Sequence, residues 1–538
     1  MIGLNVDEGR PGATRARHAL EELALMAGFP AADGPPGVTV TYDGAALGRG
    51  TAPAEVVVPV AEGHVARDVE PETWAGDGGA PIPILYRAAP PEGEVLARTA
   101  SGEPLLVLIG GRVHVGFDVA AAADYYMNGR GEVGWPRDKC GRPELAGAPA
   151  WRRGEKAVAA VNGYAALLAR AVEAACEATG VPALRFRYWP GGAPFAAALS
   201  HDVDRLRGPG RREMLRASLR RTPGMARAQY RLGDIIRGSF AYEPLAALFE
   251  AERDAAGAST FFFGALPRGP MDYAYELAEV APLVREAAAA GREVGLHSSY
   301  YTCESAEMLS RERELLAEAL GGEVGGVRGH YLRLGGPAGW AAVAAAGFSY
   351  DASFGFASGL GWRGGAALPY RPYDGVAEGA YDFVEISPAV MDGTLFQYKC
   401  LGAEDALAAT LGVVDEAARR GGACSLLWHY RAFRGGAFPA WGDVYGRAVS
   451  YMLEAGAVPM THRAIAERYR LNRAIVCRVS AATGTCDITL PPATPDDVVF
   501  ELPAGWRLAA GDVRAAGDGT FRLPPGATSV KIQLIREE

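Results

Sequence analysis

Two carboxylates lie two residues apart at the end of an apolar run, in the sequence AAALSHDVD. Because side chains two residues apart share one face of an extended strand, Asp202 and Asp204 can serve the same site. Such a pair can divide the work of a hydrolase, since one carboxylate can hold a divalent cation while the other takes a proton from water. The same pattern also occurs in solvated turns, so the pair alone does not define a site.

Histidines at the ends of other apolar runs are candidate partners for these carboxylates. The chain has eight histidines, and four of them lie at predicted strand ends: His201, His297, His330 and His429. A neutral imidazole at His297 is a suitable ligand for zinc or a similar metal. His429 closes the run CSLLWH, and its near-neutral pKa suits protonation of a leaving amine or alcohol. A buried structural role stays open for each of them.

Arginine and aromatic side chains follow the same runs. Arg328, in GVRGHYL, could orient a catalytic carboxylate or bind an acidic group through its fork of donors, or it could form a structural ion pair. Aromatic rings near the strand ends could stack on a sugar or pack in a core, and they belong to Tyr331, Trp362, Trp428 and Trp441.

Eight strand-like runs recur from Phe195 onward, with helical stretches between them. This alternation predicts an α/β fold, and specifically a (β/α) barrel. In such a barrel the side chains at the C-terminal strand ends point into the mouth of the active site. The ionisable residues of the region fall at these ends: Asp202, Asp204, His297, His330, Asp351, Glu385 and His429.

The length of 538 residues predicts more than one domain. Short apolar stretches broken by Gly and Pro predict an α/β or mostly β domain over residues 1–150, and residues 151–190 read as a helical link. The barrel is predicted over 191–470. Residues 471–538 alternate β segments with Pro and Gly turns, which predicts a small β-sandwich-like domain.

Composition excludes several classes of function. Lys and Arg total 54 against 63 Asp and Glu, a net charge of −9 without a long basic block, so nucleic acid is not an expected partner. No apolar run of about 18 residues appears, so no transmembrane segment is expected. The charged start of the chain does not resemble a signal peptide, which predicts a cytoplasmic protein. The seven cysteines form no C-x-x-C pair, so a zinc ribbon is not indicated.

Taken in order, these segments resemble the polysaccharide deacetylase family, whose catalytic unit is the NodB-homology domain, a distorted (β/α) barrel. The resemblance covers about residues 190–470. LSHDVD looks like the D-x-D variant of the first motif, and STFFFGAL resembles the family's second strand. The second motif, H-[ST]-x-x-H, is matched by His297-Ser298, with Tyr301 in place of the second histidine. The third motif, R-x-P-[YW], appears as Arg328-Gly329-His330-Tyr331. The fourth motif is echoed in YDASFGF at Asp351, and the fifth, L-x-H, is matched by Leu427-Trp428-His429.

This resemblance implies roles for the matching residues. Asp202 would be the catalytic base, His429 the acid and Arg328 a further catalytic residue, while Asp204 and His297 would bind a divalent metal, with zinc expected. His330 is our hypothesis for the third ligand, because it follows on the strand after His297. The substrate-binding residues would be Tyr331, Trp428 and Asp351.

The implied reaction is hydrolysis of a carbon–nitrogen bond, as N-deacetylation of a carbohydrate in polysaccharide or cell-envelope metabolism. The set of motifs also resembles a bacterial subgroup in which a domain of unknown role precedes the barrel. Two alternatives stay open. The same scaffold could cut a cyclic imide or an O-acyl ester, or the barrel could bind a glycan without cleaving it, because Tyr301 replaces a usual metal ligand.

Overall fold

The computed structural model describes residues 1–42, 52–60, 71–76, 81–145, 158–208, 210–219, 232–238, 245–255, 257–333, 336–433, 439–492, 494–495, 498–517, 519–524 and 526–537. Two large sheets organise these residues. One sheet is built from both ends of the sequence, and the other is built from its middle. No helix within the described ranges is long and apolar enough to cross a membrane.

The first sheet begins with parallel strands from the start of the chain. The elements described up to residue 180 are β1 (Ile2–Val6), α1 (Ala13–Met26), β2 (Ala31–Ala32), β3 (Val38–Tyr42), β4 (Ala54–Val58), β5 (Glu72–Trp74), β6 (Ile82–Ile84), β7 (Glu94–Arg98), β8 (Pro104–Ile109), β9 (Arg112–Val115), α2 (Val119–Met127) and α3 (Ala160–Thr179). Strands β2, β1, β3, β4 and β9 pair in parallel, and β8 and β7 add antiparallel strands at the edge. Helix α3, which the sequence analysis placed in a link, packs along β4 and β9 of this sheet.

The middle of the chain forms the predicted barrel. The strands in this part of the chain are β10 (Arg185–Phe186), β11 (Ala196–Val203), β12 (Ser259–Phe263), β13 (Glu293–Ser298), β14 (Gly326–Gly329), β15 (Tyr350–Asp351), β16 (Tyr373–Asp374), β17 (Gly379–Ala380), β18 (Val384–Glu385), β19 (Val390–Met391), β20 (Ala423–Leu427) and β21 (Val458–Pro459), of which β10, β16 and β17 lie outside the barrel sheet. Its helices are α4 (Arg211–Leu219), α5 (Leu232–Arg237), α6 (Leu245–Ala251), α7 (Leu277–Ala289), α8 (Ala306–Leu320), α9 (Pro337–Ala345), α10 (Ala403–Arg419), α11 (Pro439–Glu454) and α12 (His462–Ala474).

The barrel sheet is parallel, and it follows the order β18-β15-β14-β13-β12-β11-β20-β19, with β21 beside the start of β11. Each of the eight predicted runs contains one of these strands. No pairing joins β18 to β19 among the described residues, so the sheet does not close. The α/β fold with a distorted (β/α) barrel is therefore confirmed.

Local sequence signals account for the elements that surround the site. All eight residues of β11 are buried, as expected of a strand covered on both faces. Helix α8 begins after Ser305, whose hydroxyl accepts a hydrogen bond from the Met308 N–H, and it ends at Gly321 with a φ of 70°. That left-handed conformation is one that glycine adopts without strain. Because the strands of the barrel sheet are parallel, their C-terminal ends lie on one side of it.

Strands from the end of the chain extend the first sheet. They are β22 (Val476–Ser480), β23 (Thr485–Thr489), β24 (Val499–Glu501), β25 (Trp506–Gly511), β26 (Arg514–Gly517), β27 (Thr520–Arg522) and β28 (Ser529–Arg536). Strand β22 pairs in parallel with β2, which continues the sheet through β23, β28 and β25. The remaining strands form a small antiparallel sheet with β10, in the order β10-β24-β27-β26. The predicted domain limits stay a prediction, but residues 471–538 do not form a sheet of their own.

A buried ion pair joins the N-terminal segment to the barrel. The Arg363 Nη2 atom lies 2.6 Å from the Glu132 Oε2 atom, and both side chains are 5% exposed. Breaking a buried ion pair by removing one of its partners is strongly destabilising. We expect Arg363→Ala to lower the free energy of unfolding by about 3 to 5 kcal/mol, measured by chemical denaturation.

The matched control is Arg447→Ala, because Arg447 also pairs with a glutamate, Glu404, but their side chains are 44% and 78% exposed. We expect that variant to lose far less stability, because solvent screens an exposed ion pair. Equal losses in the two variants would contradict a structural role for the buried pair.

Candidate active site

A cavity of about 190 Å³ opens at the C-terminal ends of the barrel strands. Residues that end or follow β11, β13, β14, β19 and β20 converge there, as the barrel topology requires. The cavity is lined by Arg142, Asp202, Asp204, His297, His330, Tyr331, Leu332, Met391, Gly393, Gln397, Tyr398, Leu427, His429 and Arg431.

Three of these side chains could hold a metal ion together. One potential ligand atom each from Asp204, His297 and His330 lies within 4.8 Å of the other two. Asp204 directly follows β11, His297 lies in β13, and His330 begins the turn after β14. The three predicted ligands are therefore neighbours, although they come from separate strands.

Hydrogen bonding prepares these atoms for a cation. The His297 Nδ1 atom lies 3.0 Å from the Arg328 carbonyl oxygen, which can only accept, so Nδ1 carries the proton. In its neutral form the ring directs the lone pair of its Nε2 atom at the Asp204 Oδ1 atom, 3.3 Å away. Two electron-rich atoms at this distance repel each other unless a cation or a proton lies between them. Within the described residues, Asp204 Oδ1 and His330 Nδ1 are also buried without a hydrogen-bond partner.

Electrostatics distinguish the two imidazoles. Burial disfavours the protonated His297 ring, but the Asp202 and Asp204 carboxylates outweigh burial and raise its pKa above the ordinary value. The same carboxylates attract a metal cation. Burial is the main influence on His330 and lowers its pKa to about 4, so that ring is neutral at physiological pH, as a metal ligand must be.

An unusual backbone turn sets the position of His330. The next two residues, Tyr331 and Leu332, have φ angles of 60° and 58°. Non-glycine residues in this left-handed region store strain, and such strain concentrates at functional sites. The Tyr331 carbonyl oxygen accepts a hydrogen bond of 3.3 Å from the Arg142 Nη1 atom, so a residue of the N-terminal segment stabilises the turn.

Asp202 is held ionised by a buried arginine. The Arg328 Nη1 atom donates to the Asp202 Oδ1 atom at 3.0 Å and to the Ser200 hydroxyl at 2.8 Å. Arg328 has no exposed surface. Burial favours the protonated acid, but the Arg328 charge, aided by His297 and His429, outweighs it and lowers the pKa of Asp202 below the ordinary value. A buried carboxylate that keeps its charge at neutral pH is suited to accept a proton.

His429 is oriented by a carboxylate that the sequence analysis did not identify. The His429 Nδ1–H group donates to the Asp392 Oδ1 atom at 2.6 Å, and the His429 backbone N–H donates to the Asp392 Oδ2 atom at 3.0 Å. Burial disfavours the charged ring, but Asp392 outweighs it and raises the pKa of His429 to about 9. The opposite ring atom, Nε2, lies 3.6 Å from Asp204 Oδ2 and so faces the cavity.

This pairing predicts a large effect of Asp392→Asn on turnover. An amide at this position can offer its N–H group to the ring and favour the wrong tautomer, so we expect kcat to fall about 10²- to 10⁴-fold. Loss of the negative charge also lowers the pKa of His429, so the alkaline limb of the kcat–pH profile should move to lower pH. The measurement is the pH profile of kcat for both proteins.

Asp382→Asn serves as the control, because the Asp382 side chain is fully exposed and lies outside the cavity wall. We expect its pH profile to match that of the natural protein. An unchanged profile in Asp392→Asn would mean that Asp392 does not tune His429.

Two predicted substrate contacts are corrected by the structure. The Asp351 side chain has no exposed surface, lies against Glu385 and accepts a hydrogen bond from the Ser353 hydroxyl. The Trp428 ring is also fully buried, and its Nε1–H donates to the Trp441 carbonyl oxygen at 3.0 Å. Neither residue lines the cavity, so we remove both from the set of substrate contacts.

The two tyrosines of the sequence motifs have different positions. Tyr331 lines the cavity and is 37% exposed. Tyr301, in the position of the family's second metal histidine, is 43% exposed and does not line the cavity. The structure thus places His330, and not Tyr301, beside Asp204 and His297.

Several residues in or beside the cavity wall were missed in the sequence. Asp392 follows β19, a strand of only two residues in the stretch SPAVMDGT. The one available signal was that this stretch, like the other runs, places a carboxylate directly after apolar residues. Arg142 comes from the N-terminal segment, and Tyr398 and Arg431 lie in turns. No periodic pattern marks these three residues.

No protein-family model matches the sequence, and no curated protein matches it. Solved structures match about half of the chain. A candidate polysaccharide deacetylase from Mycobacterium smegmatis is 21% identical, with a TM-score of 0.36 over 52% of this chain and 92% of its own. PuuE allantoinase is 18% identical, with a TM-score of 0.36 over 53% and 93%. A polysaccharide deacetylase from Bacillus cereus is 14% identical, with a TM-score of 0.29 over 50% and 92%. Such likeness alone assigns no function.

Proposed function

We propose that this protein is a metal-dependent hydrolase of non-peptide carbon–nitrogen bonds and that it removes the acetyl group from an N-acetylated carbohydrate. The observation that carries the proposal is the group of Asp204, His297 and His330, within 4.8 Å of one another. The Asp202 Oδ2 atom lies 3.9 Å from the His297 Nε2 atom. The His429 Nε2 atom lies 3.6 Å from the Asp204 Oδ2 atom. A barrel that only bound a glycan would not need a base and an acid beside a metal site.

The donor set favours zinc. One carboxylate oxygen and two imidazole nitrogens form a ligand combination that catalytic zinc sites use, and it leaves a coordination position open. A zinc ion held by Asp204, His297 and His330 would supply Lewis-acid chemistry, polarising the acyl carbonyl and lowering the pKa of water to about 7.

The remaining side chains divide the proton transfers. Asp202, kept ionised by Arg328, takes a proton from the attacking water. Arg328 is therefore a positioning residue that acts through Asp202. His429, held by Asp392, gives a proton to the departing nitrogen. The amide bond is replaced by a carboxylate and a free amine, which for an N-acetyl sugar are acetate and an amino sugar.

Aromatic side chains at the cavity support a sugar substrate. Tyr331 and Tyr398 both line the cavity and are 37% and 46% exposed. Tyrosine rings offer an apolar face with a polar tip, which suits a sugar ring that carries hydroxyl groups. The proposal includes a role in polysaccharide or cell-envelope metabolism and membership of the deacetylase subgroup with an added N-terminal domain, both of which come from the sequence resemblance.

The test is hydrolysis by the purified full chain, followed as acetate release from the acetylated compounds and as ring opening of the imide. The protein is stripped with a chelator, reloaded with Zn²⁺ and incubated with N-acetylglucosamine compounds, an O-acetyl ester and a cyclic imide. We expect acetate from the N-acetyl compounds with Zn²⁺ and none after stripping. Asp202→Asn, which lacks the proposed base, is the control, and we expect it to release acetate about 10³-fold more slowly. Turnover of the imide or the ester alone would replace deacetylation with the alternative hydrolase. Absence of both turnover and zinc binding would reject the proposal.

A further inference from the structure

The cavity wall carries two arginines that the proposed acid–base chemistry does not use. Arg142 comes from the N-terminal segment, and Arg431 lies in the turn Tyr430–Phe433 after β20. Both line the same cavity as Asp202 and His429. The two arginines differ in their hydrogen-bond partners. This difference indicates that Arg142 supports the cavity wall and that Arg431 is available to bind a ligand.

Arg142 is occupied by protein groups. Its side chain is 9% exposed, and its Nη2 atom lies 2.7 Å from the Asp138 Oδ2 atom. The Nη2 atom also donates to the Tyr398 hydroxyl at 2.9 Å, and Nη1 donates to the Tyr331 carbonyl oxygen. Asp138 balances the charge of Arg142, so Arg142 holds Tyr331 and Tyr398 in place as one side of the cavity.

Arg431 has no comparable partners. Within the described residues, its Nε atom is buried without a hydrogen-bond partner and no carboxylate lies within ion-pair distance of its guanidinium. A guanidinium presents donors in a planar fork that matches carboxylate and phosphate oxygens. A cavity-facing arginine with an unused buried donor fits a ligand that supplies the missing oxygen.

The size of the cavity limits what the ligand can be. Its volume of about 190 Å³ is below the range of about 300 to 1,000 Å³ typical of pockets for drug-sized ligands. The wall of Arg142, Tyr331 and Tyr398 bounds one side of it. The space suits one small molecule better than the interior of a long polymer chain.

Resting on the proposed function, we propose that the substrate is a small N-acyl compound that carries a carboxylate or phosphate group, and that Arg431 binds this group. Arg142 acts as a positioning residue that holds Tyr331 and Tyr398 in the cavity wall. The substrate class is thereby narrowed from N-acetylated carbohydrates in general to acidic sugar monomers.

Binding to the inactive, zinc-loaded Asp202→Asn protein tests this inference independently of turnover. The probes are N-acetylglucosamine, N-acetylglucosamine 6-phosphate, N-acetylmuramic acid and the N-acetylglucosamine tetramer, measured by isothermal titration calorimetry. A hydrogen bond to a charged group contributes about 1.5 to 3 kcal/mol, so we expect at least one acidic monomer to bind about 10- to 100-fold more tightly than N-acetylglucosamine. The phosphate and carboxylate probes distinguish the two sources of charge.

The preference for an acidic monomer over N-acetylglucosamine should depend on the side chain at position 431. We expect Arg431→Gln to reduce it to within about threefold and Arg431→Lys to keep part of it, because lysine retains the charge without the planar fork. Arg507→Gln is the matched control, since Arg507 is exposed in β25 and lies outside the cavity wall. It should keep the full preference.

The outcomes separate this inference from the proposed function. Equal or tighter binding of N-acetylglucosamine or the tetramer, no binding of either acidic probe, or a preference that persists in Arg431→Gln would overturn it. Acetate release from the neutral monomer alone would retain the deacetylase and reject the acidic substrate. An acidic preference without acetate release from any probe would retain the binding role of Arg431 and reject deacetylation.

Discussion

The Asp202→Asn variant is expected to turn over its substrate about 10³-fold more slowly than the natural protein, with its zinc content unchanged. Asparagine has nearly the shape of aspartate, but its amide cannot accept the proton of the attacking water. Asp202 is 4% exposed and receives the Arg328 hydrogen bond at 3.0 Å. The measurement is kcat with saturating Zn²⁺, together with the metal content of the purified variant.

Asp254→Asn is the matched control, because Asp254 is exposed in the segment after α6 and lies outside the cavity wall. Its kcat should equal that of the natural protein. A kcat within about threefold of normal in Asp202→Asn would contradict the role of base, since general base catalysis contributes about 10²-fold or more. Loss of zinc from Asp202→Asn would place Asp202 among the metal ligands.

The His330→Ala variant is expected to bind Zn²⁺ at least about 10²-fold more weakly, because even removal of a residue that only supports a metal ligand costs about 10- to 100-fold. The variant leaves two ligands, Asp204 and His297. Zinc affinity is measured by competition with a chromophoric chelator. This readout is independent of substrate, so it applies before the natural substrate is known.

Tyr301→Phe is the control for this second prediction. Tyr301 is 43% exposed and does not line the cavity, so its hydroxyl should make no contribution to zinc affinity. Unchanged zinc affinity in His330→Ala would remove the third ligand from the proposal. Weaker zinc binding in Tyr301→Phe would instead indicate that Tyr301, at the position of the family's second metal histidine, contributes to the metal site.

The barrel and half of its site could be predicted because their signals are local. Each buried parallel strand is a short apolar run, and the residue that ends the run is the one that the topology brings to the cavity. Asp202, His297 and His429 all stand in such positions. A pattern of this kind requires only the strand and its direction, and both can be deduced from the sequence.

The residues that complete the site have no such local signal. Asp392 follows a strand of two residues, which is too short to show alternation or a continuous apolar run. Arg142 reaches Tyr331 across 189 positions of sequence, a contact that depends on the packing of two segments. The predicted roles of Asp351 and Trp428 failed for the related reason that a strand-end position does not decide which way a side chain points.

The pairing of the chain ends was missed for the same physical reason. Strand β2 is two residues long and pairs with β22 through Ala31 and Val476. Short strands of alanine carry almost no pattern, and strand pairing between distant segments is set by the packing of the layers that surround them. The β segments after residue 470 were recognisable, but their partner was not.

The first sheet contains strands from both ends of the chain, so the barrel is inserted between two parts of one structural unit, called the host below. The polypeptide leaves the host near β10 and returns to it after α12. A domain that is connected to its neighbour by two chain segments has less freedom of relative motion than a domain connected by one segment. We therefore expect Arg142 to keep its hydrogen bonds to Tyr331 and Tyr398. Through Arg142, the part of the structure built from both chain ends holds Tyr331 and Tyr398, two residues that line the cavity of the barrel.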